Sequence, residues 1–320
     1  MSDLNFEQLA KDCLINRTGD SNESIALIEK LEEEIYDKED FISAINYFFE
    51  ISNDYKVVSY LFKKMSKYKS PTSVAPLVDS LVLKEKYKAK FNDDDVRMCV
   101  RVNAAKTLAN IKDNSAVNPL LYCLNNKNEN YKLRLACAEA LGKIGDKYAV
   151  IPLSEVLKDE SESSVYLKES AAFALGMIGD SKAVDTLVNV LETGRGLMDK
   201  FTFLKERAIE ALSRINTSGD KVFHALEKSL KDQSVQVRIN AIEALSNLDD
   251  DRVNDLIYTC LSDKSPEVAR NAIIALFNLS GEQVLNDILN DNSLPDYTIR
   301  LVKEIIEEIE AEDIDDPDEL

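Results

Sequence analysis

The sequence has no tryptophan, a single histidine, nine glycines and seven prolines in 320 residues. So little glycine and proline argues against a strand-and-turn protein and for continuous helix. One imidazole, His224, excludes a multi-histidine metal site and leaves any Ser–His or Cys–His mechanism a single base. Its setting, Lys221-Val-Phe-His224-Ala-Leu226, opens an amphipathic helix, so His224 reads as a surface residue of that helix. No G-x-S-x-G, phosphate-binding loop or C-x-x-C occurs, and Gly194-Arg-Gly196 lacks the third glycine of a dinucleotide loop. The longest run without a charge, Asn114–Asn126, is 13 residues and rich in asparagine, short of the ~18–20 apolar residues of a membrane helix. Met1–Ala10 has neither the basic nor the apolar stretch of a signal peptide. Cys13, Cys99, Cys123, Cys137 and Cys260 are odd in number and scattered. They read as small buried hydrophobes of a reducing cytoplasm, not as a disulfide framework. Positive charge is also short, with 39 basic against 58 acidic residues and a net charge of −19. That field repels phosphate backbones and anionic membranes, so neither a nucleic-acid partner nor membrane insertion is expected.

What the sequence does contain is a repeat. Arg101-Val-Asn-Ala-Ala-Lys-Thr-Leu108 returns as Arg134-Leu-Ala-Cys-Ala-Glu-Ala-Leu141 and Lys168-Glu-Ser-Ala-Ala-Phe-Ala-Leu175. It recurs as Lys205-Glu-Arg-Ala-Ile-Glu-Ala-Leu212, Arg238-Ile-Asn-Ala-Ile-Glu-Ala-Leu245 and Ala269-Arg-Asn-Ala-Ile-Ile-Ala-Leu276, with leucine spacings of 33, 34, 37, 33 and 31. A degenerate earlier copy ends at Met65. Each unit predicts two helices. The first carries its proline in the first turn, as in Ala149-Val-Ile-Pro152-Leu153, and the second closes on Gly or Asp, as in Ile144-Gly145-Asp146. Neither helix can bury its apolar stripe alone, so the units must stack into an α-solenoid.

The pattern A-V-x-P-L followed by V-R-x-x-A-x-x-A-L-G-x-I-G-D resembles the HEAT-like repeat family named after phycobilisome lyases, over about Lys56–Gly281. The resemblance implies an all-α, right-handed solenoid of about seven helix pairs. Residues 1–53 form an N-terminal helical cap with an acidic helix at Ser24–Tyr36, and 54–293 the array. Residues 294–310 form a C-terminal capping helix and 311–320 an acidic disordered tail. Function is carried only weakly by such a fold. Two readings stand: a non-enzymatic protein-binding scaffold or assembly factor in the cytoplasm, and, as the resemblance implies, a phycobilin lyase-like subunit or chaperone of phycobiliproteins. The first needs no cofactor. The second implies a bilin, carboxylates such as Glu139 and Glu210 near its pyrrole nitrogens, Arg207 and Arg214 near its propionates, and a second HEAT-like chain as partner.

Counting from each repeat leucine, position −7 is basic at Arg101, Arg134, Lys168, Lys205 and Arg238. Asp95, Asp232 and Asp263 precede Arg101, Arg238 and Arg270 by six or seven residues, and the resemblance implies that such Asp–Arg pairs tie adjacent turns together, so the ladder is expected to be structural rather than an anion site. Positions −9, −5, −2 and +2 share the face of the second helix opposite its alanine and leucine stripe, which the resemblance places on the concave groove. In the Leu141 repeat this face reads Lys132, Ala136, Glu139, Lys143, and in the Leu245 repeat it is polar throughout. The Leu175 repeat instead reads Tyr166, Ser170, Phe173, Met177, and the next reads Phe203, Arg207, Glu210, Arg214. Tyr166, Phe173, Met177 and Phe203, with Lys143, Arg207, Glu210 and Arg214, form the candidate partner-binding patch. Two insertions, Lys84–Asp95 and Thr193–Phe201, break the period, and the lysines around Tyr87 read as a solvated loop paired with the aspartates that follow.

Overall fold

The computed structural model describes residues 21–193, 202–215 and 219–314. The chain divides into two compact units, Met1–Ile178 and Gly179–Leu320, and the described residues hold helices and no strand.

In the first unit α1 is Ser21–Glu34, α2 Lys38–Ile51, α3 Tyr55–Tyr68, α4 Val74–Leu81 and α5 Glu85–Lys90. They are followed by α6 (Asp94–Ile111), α7 (Val117–Asn125), α8 (Tyr131–Ile144), α9 (Val150–Lys158) and α10 (Val165–Ile178). The second helices α3, α6, α8 and α10 stack in series, and the first helices α4, α7 and α9 pack on them as the repeat requires. The stripe that drives this is buried without exception at Met65, Leu108, Leu141 and Leu175, and at Ala104, Ala138 and Ala172. At the turn Gly145-Asp146 the backbone of Gly145 is left-handed (φ 82°) and closes α8. Asp146 then accepts a hydrogen bond from Tyr148 N at 2.8 Å and starts the next helix through a 3₁₀ turn.

In the second unit α11 is Val184–Thr193, α12 Thr202–Ile215, α13 Asp220–Ser229 and α14 Val235–Ser246. Then come α15 (Val253–Tyr258), α16 (Pro266–Ser280), α17 (Gln283–Asn290) and α18 (Asp296–Ile314). The second helices α12, α14, α16 and α18 again stack in series, and α17 pairs with α18. The last helix therefore has a partner and runs to Ile314 rather than ending at residue 310, since Ala311 and Glu312 are good helix formers. Residues 315–320 of the expected acidic tail and 194–201 of the second insertion lie outside the described residues.

The basic ladder is a structural device. Arg101 and Arg134 are buried, and each donates through Nε to the last carbonyls of the first helix of its own repeat, Leu81 O at 2.7 Å and Leu124 O at 2.8 Å. Their remaining nitrogens reach into the next repeat, Arg101 to Glu129 at 2.8 Å and Arg134 to Glu162. In the second unit Lys205 pairs with Asp232, and Arg238 grips Asp263 with two bonds of 2.8 Å. The pairing differs from the expected one: Asp232 and Asp263 serve the basic residue of the preceding repeat, and Arg270 pairs with Glu308 instead. Asp95 takes no part, because it is exposed in the first turn of α6, where Asp93 is the N-cap. In the first unit the acids are glutamates.

The first insertion is not a solvated loop. Within it Glu85–Lys90 forms α5, with Tyr87 and Phe91 buried and Tyr87 against Phe49 (ring centroids 5.8 Å apart). Lys90 lies over the Phe49, Tyr87 and Phe91 rings and donates to the Phe49 carbonyl. Desolvation pulls its ammonium down to about 8. Lys86 pairs with Glu50 and Asp79, at 3.1 Å each, and not with the aspartates that follow. The alternating lysines thus mark an amphipathic turn whose apolar side is buried.

The acidic helix α1 packs on α3. Glu32 accepts from Lys64, from Lys67 at 2.7 Å and from the Tyr68 hydroxyl at 2.6 Å, while Tyr60 donates to Glu29 at 3.0 Å. Burial pushes the Glu32 carboxyl up, but the three donors outweigh it and hold it at about 2, against an ordinary 4.5. Between those values the unfolded chain binds more protons than the folded one, so this contribution is complete above pH ~4.5 and is lost as the pH falls towards ~2. The urea midpoint is therefore expected to drop more between pH 6 and pH 3 in the wild type than in Glu32→Gln; equal drops would contradict this.

Candidate functional site

Solvent exposure follows the register read from the repeats. In the first unit Lys143, Tyr166 and Met177 are exposed and Phe173 is half-buried, on α8 and α10. Tyr166 retains 66% of its accessible surface and Met177 38%, so a tyrosine and a methionine face water where the Leu141 and Leu245 repeats present polar groups. In the second unit Phe203 (62% exposed), Arg207 and Arg214 are exposed on α12, and Glu210 is half-buried between them. Arg207 donates to Glu210 at 2.7 Å and Arg214 at 2.8 Å, spaced three and four residues apart as one helix face dictates. The patch predicted as one surface is thus a set on α8 and α10 of the first unit and a set on α12 of the second.

Two grooves among the described residues lie between successive second helices, one in each unit. In the second unit it measures about 320 Å³ and lies between α12 and α14, with Glu210, Ser213 and Arg214 on one wall and Asn240 and Glu243 on the other. In the first unit it measures about 430 Å³ and lies between α3 and α6, with Ser59, Lys63 and Ser66 facing Asn103, Lys106 and Asn110. Each groove takes its −2 and +1 residues from the earlier helix and its −5 and −2 residues from the later one. Reading the registers of only the middle repeats missed the groove of the first unit, although Lys63 and Lys106 stand at −2 like Glu210 and Glu243.

The remaining candidates for chemistry are dispersed. His224 is exposed on α13 with Nδ1 3.1 Å from Glu227, a surface pair of one helix turn. Cys123, Cys137 and Cys260 are buried as expected, but Cys99 is exposed because it falls on the −9 register of α6, and Cys13 lies outside the described residues. No group of three or more His, Cys, Asp or Glu stands together as a metal site among the described residues. None of the described helices is long and apolar enough to cross a membrane.

Comparison with known families bears directly on the stacked pairs. The family model of HEAT repeats matches residues 92–167 and 223–302, and that of the PBS lyase HEAT-like repeat matches 167–193. The chain is a HEAT-repeat protein. No curated protein sequence matches it. Among solved structures, this HEAT array is similar to the complex of CpcE and CpcF of phycocyanin lyase from Nostoc sp. PCC7120. That match has 22% identity over 73% of this chain and 94% of that one, with a TM-score of 0.44. It is also similar to human deoxyhypusine hydroxylase (16%, 85% and 97%, TM-score 0.37) and to computationally designed armadillo repeat proteins for modular peptide recognition (20%, 78% and 97%, TM-score 0.35).

Proposed function

We propose that this HEAT-repeat chain is a protein-binding scaffold or assembly factor that engages its partner through the exposed faces of its second helices. The observation that carries the reading is the exposure of Tyr166, Met177 and Phe203 in registers where the flanking repeats place lysine, asparagine and glutamine. Exposed aromatic anchors ringed by arginine are the residue types that dominate protein interfaces. Lys143, Phe173 and Met177 complete the set around Tyr166, and Arg207, Glu210 and Arg214 the set around Phe203. The test is affinity capture from source cells with the wild type and with Tyr166→Ser combined with Phe203→Ser. The variant is expected to keep its helical circular dichroism and to lose the specific partner by about tenfold or more. A partner retained at wild-type yield would sink the reading.

The second reading, a bilin-handling lyase-like subunit or chaperone, is favoured by the match of residues 167–193 to the PBS lyase HEAT-like repeat. The residues assigned to it fit poorly. Glu210, meant for pyrrole nitrogens, is already bonded to both arginines meant for propionates. The scaffold reading needs no rearrangement of these groups and is preferred.

A further inference from the structure

The second helices of the first unit carry a strip of lysines on a chain whose net charge is −19. Lys56 and Lys63 on α3, Lys106 on α6, and Lys132 and Lys143 on α8 occupy the −9, −2 and +2 registers and are all exposed. The ion pairs of this unit use other cations, namely Lys64, Lys67, Lys84, Lys86, Arg97, Arg101, Lys127 and Arg134 among them. On these registers of the three repeats the one carboxylate is Glu139. The groove between α3 and α6 has two ammonium groups, two amides and two serine hydroxyls on its walls and no carboxylate. Its amides are held in place, Asn110 Nδ2 by Ser66 Oγ at 3.2 Å and Asn103 Nδ2 by the Tyr55 hydroxyl at 3.4 Å. The corresponding groove of the second unit is lined by two glutamates, one of them bonded to its only arginine.

The chain itself shows what such a surface accepts. At the outer end of α3 the acidic helix α1 lies against it, and Glu32 takes Lys64, Lys67 and Tyr68 at once. Among the described residues, Lys56, Lys63, Lys106, Lys132 and Lys143 are exposed and no ion pair is formed by them. We propose that this strip is the docking surface for an acidic polypeptide segment of a partner protein, laid along the second helices of the first unit. The proposal deepens the scaffold reading and rests on it. A polypeptide fits better than a nucleic acid. On the −9, −5, −2 and +2 registers of α3, α6 and α8 the one aromatic ring is Tyr60, which is tied to Glu29, and no arginine stands there for bidentate phosphate contact. Asparagine and serine beside the lysines match the donors and acceptors of a peptide main chain. The chain's overall negative field repels a long polyanion while a local strip of opposite sign still steers a short acidic segment.

The test uses the full chain and fluorescence anisotropy of a labelled twenty-residue poly-L-glutamate, with a twenty-nucleotide oligothymidylate as the nucleic-acid arm. At about 50 mM salt the glutamate peptide is expected to bind, and to weaken steeply as salt is raised. Lys63→Glu with Lys106→Glu is expected to lower its affinity about tenfold, and Lys63→Gln with Lys106→Gln by less. Reversal of the exposed first-helix lysines, Lys158→Glu with Lys228→Glu, should change it little. No binding at low salt, or equal loss in both charge-reversed chains, would overturn the proposal. So would oligothymidylate bound as tightly through the same two lysines. The broader reading is separable. If poly-glutamate fails while partner capture still depends on Tyr166 and Phe203, the acidic-segment proposal alone falls. If capture ignores those side chains, the scaffold reading falls.

Discussion

Arg238→Ala is expected to cost about 3–5 kcal/mol of stability, the range for breaking a buried ion pair by removing one partner. The side chain is 2% exposed and makes two 2.8 Å bonds to Asp263, which is itself 13% exposed. It also donates to the carbonyls of Asp232 at 2.9 Å and Gln233 at 3.2 Å, which close the loop of its own repeat. Alanine would leave a carboxylate and two carbonyls short of partners in one place, so the loss exceeds that of an ordinary hydrogen bond. A melting temperature lower by about 10 °C follows. Amide protection should fall first in α14 and α16, because a repeat array transmits damage mainly to its neighbours. Lys221→Ala, which removes an exposed pair with Asp185, should leave the melting curve unchanged. Equal melting of Arg238→Ala and wild type would show that the ladder is not structural.

The second large effect sets a helix rule against a packing rule. In an exposed helix, Gly→Ala gains about 1 kcal/mol. At Gly142 on α8 the added Cβ would stand 2.7 Å from Ala174 Cα and 2.8 Å from its Cβ, inside any real contact distance. The obstacle is the backbone of α10, so relief requires the two helices to separate along the stack that carries the unit. Overpacking of this kind costs about 1–3 kcal/mol, which outweighs the propensity gain. Gly142→Ala is thus expected to lower the urea midpoint and Gly142→Val to lower it further. Ala174→Gly in the Gly142→Ala background should recover only part, because one of the two close atoms is Cα. A midpoint raised by Gly142→Ala would mean that α8 and α10 are not this close.

Much of this was legible in the sequence, for a reason peculiar to repeats. Leu108, Leu141 and Leu175 recur at helical register with alanines between them, so one correct alignment fixes the buried stripe, the exposed face and the role of position −7 together. What escaped lies where the period breaks or where a partner sits one repeat away. Asp95 precedes Arg101 by six residues, but the guanidinium reaches Glu129, the acid of the following loop. The lysines of the first insertion alternate like a loop, yet Tyr87 and Phe91 between them are buried, and no local pattern reveals that α2 supplies Phe49 as their floor. Cys99 is exposed because register outweighed the usual preference of cysteine for the interior. The lysine strip was present in the same registers as Phe203 and Glu210, and setting Lys63, Lys106, Lys132 and Lys143 side by side would have exposed it. The division after Ile178 left no mark in the repeat motif itself.

The most direct measurement is site-specific photocrosslinking in source cells, with a benzophenone amino acid placed singly at Tyr166, Phe203 and Tyr148. Tyr148 is 80% exposed on the turn that opens a first helix, so it controls for exposure alone. If the second-helix faces bind the partner, Tyr166 and Phe203 give a discrete crosslinked protein and Tyr148 does not. Crosslinks of equal yield and identity from Tyr148, or none from Tyr166 and Phe203, would contradict a function carried by those faces.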